Sequence, residues 1–157
     1  MFTVDTPAGP FSVIAAGSTV LASGFTTDTA LLAALIHPSL RSVSEPADPE
    51  PIRAALDSYF AGDVKAIDEI AVRQRSGSFL EHAWEVLRDV HEPITYTEYA
   101  DRAGNPAAIR AAASACARNA AALFVPCHRV LRLDGTLGGY RWGLDVKRFL
   151  LAHEGKS

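Results

Sequence analysis

The sequence predicts an α+β fold, in which a small N-terminal α/β domain with a three-stranded antiparallel meander precedes a mostly helical C-terminal domain containing a helix-turn-helix. Short β-prone runs separated by glycine and proline fill residues 2–25. Beyond residue 78, apolar side chains recur at helical spacing instead. The composition changes at the run Arg-Ser-Gly-Ser, residues 75–78. We therefore predict domains at 1–75 and 76–157.

The N-terminal domain is expected to be a scaffold, because its residues show no pattern that suggests chemistry. Turn-forming glycine and proline divide its β-prone runs into short strands. Apolar residues at helical spacing indicate helices, and a stretch rich in serine, proline and acidic residues indicates a loop. The predicted elements are strands at 2–4, 11–14, 18–25 and 64–72, helices at 29–36 and 52–60, and an exposed loop at 40–51.

Three helices are predicted at the start of the C-terminal domain. The first spans 79–90, with Ser78 placed to cap it. The second begins at the Thr-x-x-Glu pattern of residues 95–98, which is typical of a capping box, and ends at Gly104. Asn105 can then cap a third helix that has proline at its first position. The last two helices form the predicted helix-turn-helix, a pattern that also occurs in proteins that do not bind DNA.

The composition favours an ordinary globular protein. Of the 157 residues, 48% are hydrophobic and 21% are charged. The N-terminus does not resemble a signal peptide, and no apolar run reaches the length of a membrane span, so we expect a cytoplasmic protein. The two cysteines, Cys116 and Cys127, form no Cys-x-x-Cys pair, which argues against a structural zinc site and a disulfide framework. A bridge between these two cysteines remains open at this stage.

Charge is distributed unevenly along the chain. Residues 101–157 contain nine basic and four acidic residues, whereas residues 1–100 contain six basic and fourteen acidic ones. A basic C-terminal part beside an acidic N-terminal part suits a polyanionic partner that binds one face. The alternative is a solvated surface whose charges are uneven without any such partner. The charge distribution alone slightly favours this alternative.

The predicted third helix is rich in alanine. Seven of the twelve residues from 106 to 117 are alanine, and Arg110 is the only long polar side chain among them. A helix that reads base edges in the major groove needs several long polar side chains. Small side chains would instead let the backbone approach a minor groove, with one long residue reaching into the base stack. Tight packing in a protein core is the alternative, and composition alone favours it.

The most reactive side chains follow a short apolar run at 123–125. We predict this run to be a buried strand that is stopped by Pro126. Cys127, His128 and Arg129 come next. A thiol becomes a nucleophile only as a thiolate, which requires a base or positive charge nearby. In a strand, adjacent side chains point to opposite faces, so His128 would need a turn or a bridging water to reach the thiol. A buried structural cysteine and histidine are the alternative interpretation.

The run Pro126-Cys127-His128-Arg129-Val130 resembles the active-site motif of the O6-alkylguanine-DNA alkyltransferases, also called methylated-DNA–protein-cysteine methyltransferases. The resemblance covers residues 79–154. The first 75 residues are similar to that family in length, strand pattern and the run Tyr-Phe-Ala-Gly at 59–62. The companions at the family's spacing are Tyr96, Gly104-Asn105-Pro106, Arg110, Asn119, Gly138 to Gly143, Lys147 and Leu150 to Glu154.

The resemblance implies irreversible transfer of an alkyl group from guanine to Cys127, without a cofactor. His128, backed by Glu154, would take the thiol proton through a water molecule. Tyr96 would supply a proton to the departing guanine, and Asn119 would hold the turn that carries the thiol.

The resemblance also implies that double-stranded DNA is the partner, bound through its minor groove with the damaged nucleotide flipped out. Arg110 would fill the gap left in the stack. We expect a monomer, and cooperative binding on DNA stays open. The DNA-contacting residues would be Arg110, Pro106, Ala107, Ala111 and Ser114. The guanine pocket would be lined by Val130, Tyr140, Arg141, Trp142 and Cys116, of which Cys116 is expected to pack rather than react.

Three positions depart from the family pattern. Residues 120–122 are alanines where the family often has a proline, residues 90–93 replace a Pro-x-Gly type turn, and Trp142 replaces a common glycine. We predict that Trp142 narrows the pocket and favours methyl over bulky adducts. Three other functions remain as alternatives: a lesion-binding protein that does not react, a cysteine hydrolase, and a helix-turn-helix regulator. A hydrolase would need an oxyanion hole, preferably at a helix N-terminus.

Overall fold

The computed structural model describes residues 1–42 and 45–156, which divide into two compact units. The first unit consists of 1–75 together with 120–124, and the second of 76–119 together with the chain from 125 onward. A three-stranded antiparallel sheet near the N-terminus is followed by helices. The predicted α+β fold class is therefore confirmed. The short segment 120–124, which joins the first unit from within the second, was not anticipated from the sequence.

The sheet of the first unit is a meander in the order β1-β2-β3, with both pairs antiparallel. Glycines at positive φ, Gly9 at 106° and Gly17 at 58°, lie where the chain reverses between strands. Phe11, Val13 and Val20 are fully buried and form the centre of its core. The strands are β1 (Phe2–Thr6), β2 (Gly9–Ala16) and β3 (Thr19–Gly24).

Two helices of the first unit lie close to their predicted positions. Helix α1 (Thr29–Leu35) is capped by Asp28, whose carboxylate accepts from the backbone N–H of Leu31 at 3.1 Å. Helix α2 spans Glu50–Phe60 and begins inside the stretch predicted as loop. Leu40, also in that stretch, is buried at the end of a 3₁₀ turn. Residues 43 and 44 of the predicted loop lie outside the described residues.

The strand predicted at 64–72 is wrong. Val64–Glu69 form a 3₁₀ helix, in which the N–H of Ala66 donates to the carbonyl of Asp63. Only the end of this stretch pairs with the sheet, through an isolated bridge between Val72 and Val20. Ile67 and Ile70 in this stretch are buried without joining a ladder, which shows how far β propensity depends on context.

The second unit contains four α-helices and one short parallel strand pair within the described residues. The pair joins β4 (Ile94–Thr95) to β5 (Val130–Leu131). Indole Nε1 of Trp84 donates to the carbonyl of Ala115 at 2.8 Å, and the Tyr99 hydroxyl donates to the carbonyl of Ala83 at 2.6 Å. The helices are α3 (Ser78–Arg88), α4 (Tyr96–Arg102), α5 (Ile109–Ala117) and α6 (Leu144–His153).

The helix boundaries in this unit follow local hydrogen bonding. The hydroxyl of Thr95 accepts from the N–H of Glu98 at 3.1 Å, so α4 begins at the predicted capping residue. Helix α5 begins three residues later than predicted, because Asn105 accepts from the N–H of Ala107 and forms a turn of its own. Ser78 is the first residue of α3 rather than its cap, which is Gly77.

Alanine in α5 has a packing consequence. Ala112 and Ala115 are fully buried, and Ala115 lies where the Trp84 side chain reaches the helix backbone. Small side chains on that face allow the close approach. Across the described parts of the chain, every helix is too short or too polar to traverse a bilayer.

Candidate active site

Cys127 lies in a turn and not at the end of a strand. Leu123 adopts a positive φ of 73°, which breaks an extended conformation, so the predicted strand at 123–125 is wrong. The predicted burial is right, because every residue from 121 to 130 is buried. Cys127–Arg129 form a 3₁₀ turn, in which the N–H of Arg129 donates to the carbonyl of Pro126 at 3.0 Å.

Asn119 holds this turn from the end of α5. Its Nδ2 donates to the carbonyl of Val125 at 2.8 Å and to Sγ of Cys127 at 3.3 Å. Asn119 is 3% exposed and Cys127 is 7% exposed. One amide group therefore fixes both the backbone before the thiol and the sulfur atom itself.

We expect Asn119→Ala to lower the free energy of unfolding by about 1–3 kcal/mol, because it leaves the buried carbonyl of Val125 without this donor. Urea denaturation measures the change. Asn105→Ala is the matched control, since the exposed Asn105 side chain also bonds the backbone, in this case by accepting from the N–H of Ala107, and we expect this substitution to cost about 0.5 kcal/mol. Equal losses in the two variants would contradict the assignment.

His128, Glu154 and Arg129 form a buried cluster, and His128 directly follows Cys127 in the chain. Nε2 of His128 bonds Oε2 of Glu154 at 2.8 Å. The Arg129 guanidinium donates to both carboxylate oxygens, at 2.8 Å to Oε1 and 3.1 Å to Oε2. Because Nε2–H donates to the carboxylate, Nδ1 of His128 carries the lone pair. Within the described residues, that buried atom has no hydrogen-bond partner.

Burial sets the protonation of the thiol and the imidazole. Burial raises the pKa of Cys127, against the opposing effects of the Asn119 bond and the nearby Lys147 charge. Burial lowers the pKa of His128, and its bond with Glu154 opposes that shift. Burial also disfavours ionised Glu154, yet the bonds from His128 and Arg129 outweigh it and hold the pKa of Glu154 well below its usual range. At neutral pH the Cys127 thiol is therefore protonated and the His128 imidazole is neutral.

Tyr96 is the first residue of α4, and its ring lies against Gly138. A Cβ atom added at Gly138 would lie 3.4 Å from both the ring and the hydroxyl of Tyr96. Burial, together with Cys116 and Cys127, raises the pKa of Tyr96 to about 12, while the charge of Arg132 opposes the shift. The phenol thus keeps its proton at neutral pH and can donate it.

Lys147 is fully buried on α6 and holds the loop after β5. Its ammonium group donates to the carbonyls of Val130 at 2.9 Å and Gly139 at 3.3 Å, and also to the carbonyl of Leu137. Three carbonyls match the three donors of the group. Burial lowers the pKa of Lys147, while the neighbouring Cys127 raises it.

Sequence reasoning assigned no role to Arg129 or Lys147. The burial of Lys147 has a signal in the sequence. Lys147 lies three and four residues before Leu150 and Leu151, which are buried, so the three side chains share one face of the helix. Arg129 gives no comparable local signal, because its partner Glu154 lies 25 residues later in the chain.

The remaining predicted site residues all lie in the second unit. Arg110 is exposed at the second position of α5, Pro106 and Ala107 lie exposed in the preceding turn, and Ala111 and Ser114 are half-buried on the helix. Arg141 donates to the carbonyl of Ala117 at the end of α5. The other predicted pocket residues are Val130, which is fully buried, and Tyr140, Trp142 and Cys116, which are half-buried.

Cys116 is a free thiol in this structure, as is Cys127. Burial raises the pKa of Cys116, and the charge of an ionised Cys127 raises it further. The Cys116 thiol is therefore protonated at neutral pH. Among residues 1–42 and 45–156, no three histidine, cysteine or acidic side chains are grouped as metal ligands would be.

Comparison with known proteins gives a consistent result. A family profile described as "6-O-methylguanine DNA methyltransferase, DNA binding domain" matches residues 78–156. The bifunctional transcriptional activator/DNA repair enzyme Ada of Escherichia coli is 46% identical over 85 residues, which are 53% of this chain and 24% of that protein. The chain likewise spans only 60% of the length of the Haemophilus influenzae methylated-DNA–protein-cysteine methyltransferase.

Two comparisons extend over nearly the whole chain. The Mycobacterium tuberculosis methylated-DNA–protein-cysteine methyltransferase is 35% identical over an aligned length of 157, which covers 97% of this chain and 90% of that protein. The crystal structure of M. tuberculosis OGT in complex with DNA superposes with a TM-score of 0.78 at 31% identity, covering 98% of this chain and 91% of that one. On this agreement over the full fold, the chain belongs to the family of the methylated-DNA–protein-cysteine methyltransferases.

Proposed function

We propose that this protein repairs O6-alkylguanine in double-stranded DNA by moving the alkyl group to Cys127. The observation that carries the proposal is a buried thiol bonded by Asn119, followed in the chain by a histidine that is paired with Glu154. In the transfer, a sulfur–carbon bond forms and the bond between the alkyl carbon and guanine O6 breaks. The product is a thioether with no leaving path, so each molecule reacts once.

The thiol must lose its proton during the reaction, because burial keeps it protonated beforehand. Nδ1 of His128 receives that proton through a bridging water molecule. Glu154 accepts the Nε2–H bond and stabilises the imidazolium that results. His128 thus first removes the thiol proton, and the sulfur of Cys127 then attacks the alkyl carbon. This reaction needs no cofactor.

Tyr96 protonates guanine as the alkyl group leaves, which makes the departing base neutral. Its raised pKa keeps the phenol proton available at neutral pH. Lys147 supports the reaction indirectly, since it fixes the carbonyls of the loop after β5 and lowers the pKa of Cys127.

DNA binds along α5 through its minor groove. The exposed side of the helix start carries Arg110, and the small residues Pro106, Ala107, Ala111 and Ser114 lie around it. Small side chains let the helix approach a narrow groove, and Arg110 enters the stack where the damaged nucleotide has flipped out. Helices α4 and α5 would then act as a helix-turn-helix.

The direct test is the mass of the intact protein after incubation with duplex DNA that carries one O6-methylguanine. We expect the mass to rise by one methyl in place of one hydrogen, and peptide mapping to place it on Cys127. An undamaged duplex is the control. An unchanged mass with preferential binding of the damaged duplex would favour a lesion-binding protein instead.

Trp142 is proposed to narrow the guanine pocket. We expect Trp142→Gly to react with a benzylated guanine probe at least about tenfold faster than the wild type, because removing the indole makes room for the larger group. Single-turnover rates measure the effect, and the methylated duplex serves as the reference substrate. A wild type that reacts with the benzyl probe as fast as the variant would refute this prediction.

A further inference from the structure

Among the described side chains that are almost completely buried, Arg129 is the largest, with 1% of its surface exposed. Besides its two bonds to Glu154, it donates to the carbonyl of Val90 at 2.6 Å. It therefore joins the backbone just after α3 to the carboxylate at the end of α6. Burying a guanidinium is costly, so this position needs an explanation beyond filling space.

The position of Glu154 disfavours an ionised carboxylate. It is buried, and as the C-cap of α6 it lies at the helix end that disfavours anions. A neutral carboxylic acid at this position could donate its proton to Nε2 of His128. The imidazole would then carry its own proton on Nδ1, and no lone pair would remain for the thiol proton.

We propose that Arg129 is a positioning residue for the transfer reaction: its two-point contact keeps Glu154 ionised and thereby keeps the lone pair of His128 on Nδ1. The inference rests on the proposed function, in which His128 accepts the thiol proton. Arg129 acts only through Glu154 and His128, and nothing requires it to touch the DNA.

Three charged groups set the charge balance around His128: Glu154, Arg129 and Lys147. Burial and the two cations lower the pKa of His128, whereas Glu154 raises it. Removing Arg129 takes away one cation and leaves Glu154 with a single partner from this cluster. A proton added to the pair of neutral His128 and ionised Glu154 is then bound more tightly, whether the imidazole or the carboxylate carries it. Since that proton blocks the base, activity is lost at a higher pH.

The test is the single-turnover rate of methyl transfer from an O6-methylguanine duplex between about pH 5 and pH 9. In Arg129→Gln we expect the midpoint of the acid limb to move up by about one pH unit or more. Arg129→Lys keeps the charge but not the two-point geometry, so its midpoint should lie between those of Arg129→Gln and the wild type. Arg148→Gln, an exposed arginine on the same helix as Glu154, should leave the profile unchanged.

A rate that falls equally at every pH in both Arg129 variants would overturn the inference, because it would show that Arg129 serves packing alone. If Arg129→Gln does not fold, as judged by thermal melting, the Arg129→Lys profile decides. A wild type that transfers no methyl at all would refute the proposed function instead. In that event, ¹⁵N spectra of the His128 ring test the inference separately: at a pH where the ring is neutral, an Nε2–H tautomer in the wild type that becomes a mixture in Arg129→Gln supports it, and the same tautomer in both proteins overturns it.

Discussion

Cys127→Ala is expected to abolish methyl transfer completely while the protein still binds the damaged duplex. The sulfur atom is the only group in the turn that can form the new bond in the proposed reaction. The turn itself should persist, because Asn119 retains its bond to the carbonyl of Val125. Intact-protein mass measures transfer, and a fluorescence anisotropy titration with the methylated duplex measures binding.

Cys116→Ala separates the two thiols in the same experiment. This variant keeps Cys127 as its single cysteine, and we expect it still to gain one methyl group. Methylation that persists in Cys127→Ala would identify Cys116 as an acceptor and refute the assignment. Loss of both transfer and binding in Cys127→Ala, with an altered melting temperature, would show that the substitution disturbed the fold.

His128→Gln is expected to slow the transfer by about 10²–10⁴-fold, the usual contribution of a positioned general base. The glutamine amide can still donate a hydrogen bond, and Glu154 keeps its two bonds from Arg129, so the cluster stays largely satisfied. Single-turnover rates with the methylated duplex measure the loss. The wild-type rate should fall as pH drops and His128 becomes protonated, whereas the variant should lack this acid limb.

His82→Gln is the matched control, because it makes the same substitution at an exposed histidine on α3. We expect its rate and its pH profile to match the wild type. A His128→Gln protein that reacts within a few-fold of the wild type, with an unchanged acid limb, would rule out His128 as the base.

Sequence reasoning was most successful where the signal is local. The three-stranded meander follows from short β-prone runs and glycine turns, and the start of α4 follows from the bond between Thr95 and Glu98. The errors at 64–72 and 123–125 share one cause. Both stretches contain buried, β-prone residues, but whether such residues join a sheet depends on partners that are distant in sequence.

The site was predictable in part for the same reason. Cys127 and His128 stand next to each other, and the resemblance to a known family supplied Asn119, Tyr96 and Glu154 as companions. The role of Arg129 depends on a carboxylate 25 residues later in the chain, and no local pattern marks that pair. The sequence offers a turn at Cys127 only as one way for His128 to reach the thiol, and no local pattern marks the left-handed conformation of Leu123 that interrupts the predicted strand.

The segment 120–124 limits how this protein can be divided. The family profile and the change in composition both suggest a cut near residue 76, yet these five residues belong to the first unit. There, the hydroxyl of Ser23 donates to the carbonyl of Ala122 at 2.9 Å, and the Phe124 ring lies 6.1 Å from that of Phe11. A C-terminal fragment made alone would expose this apolar segment a few residues before the thiol. For protein engineering, a cut near residue 76 would therefore separate residues 120–124 from the side chains that they contact in the first unit.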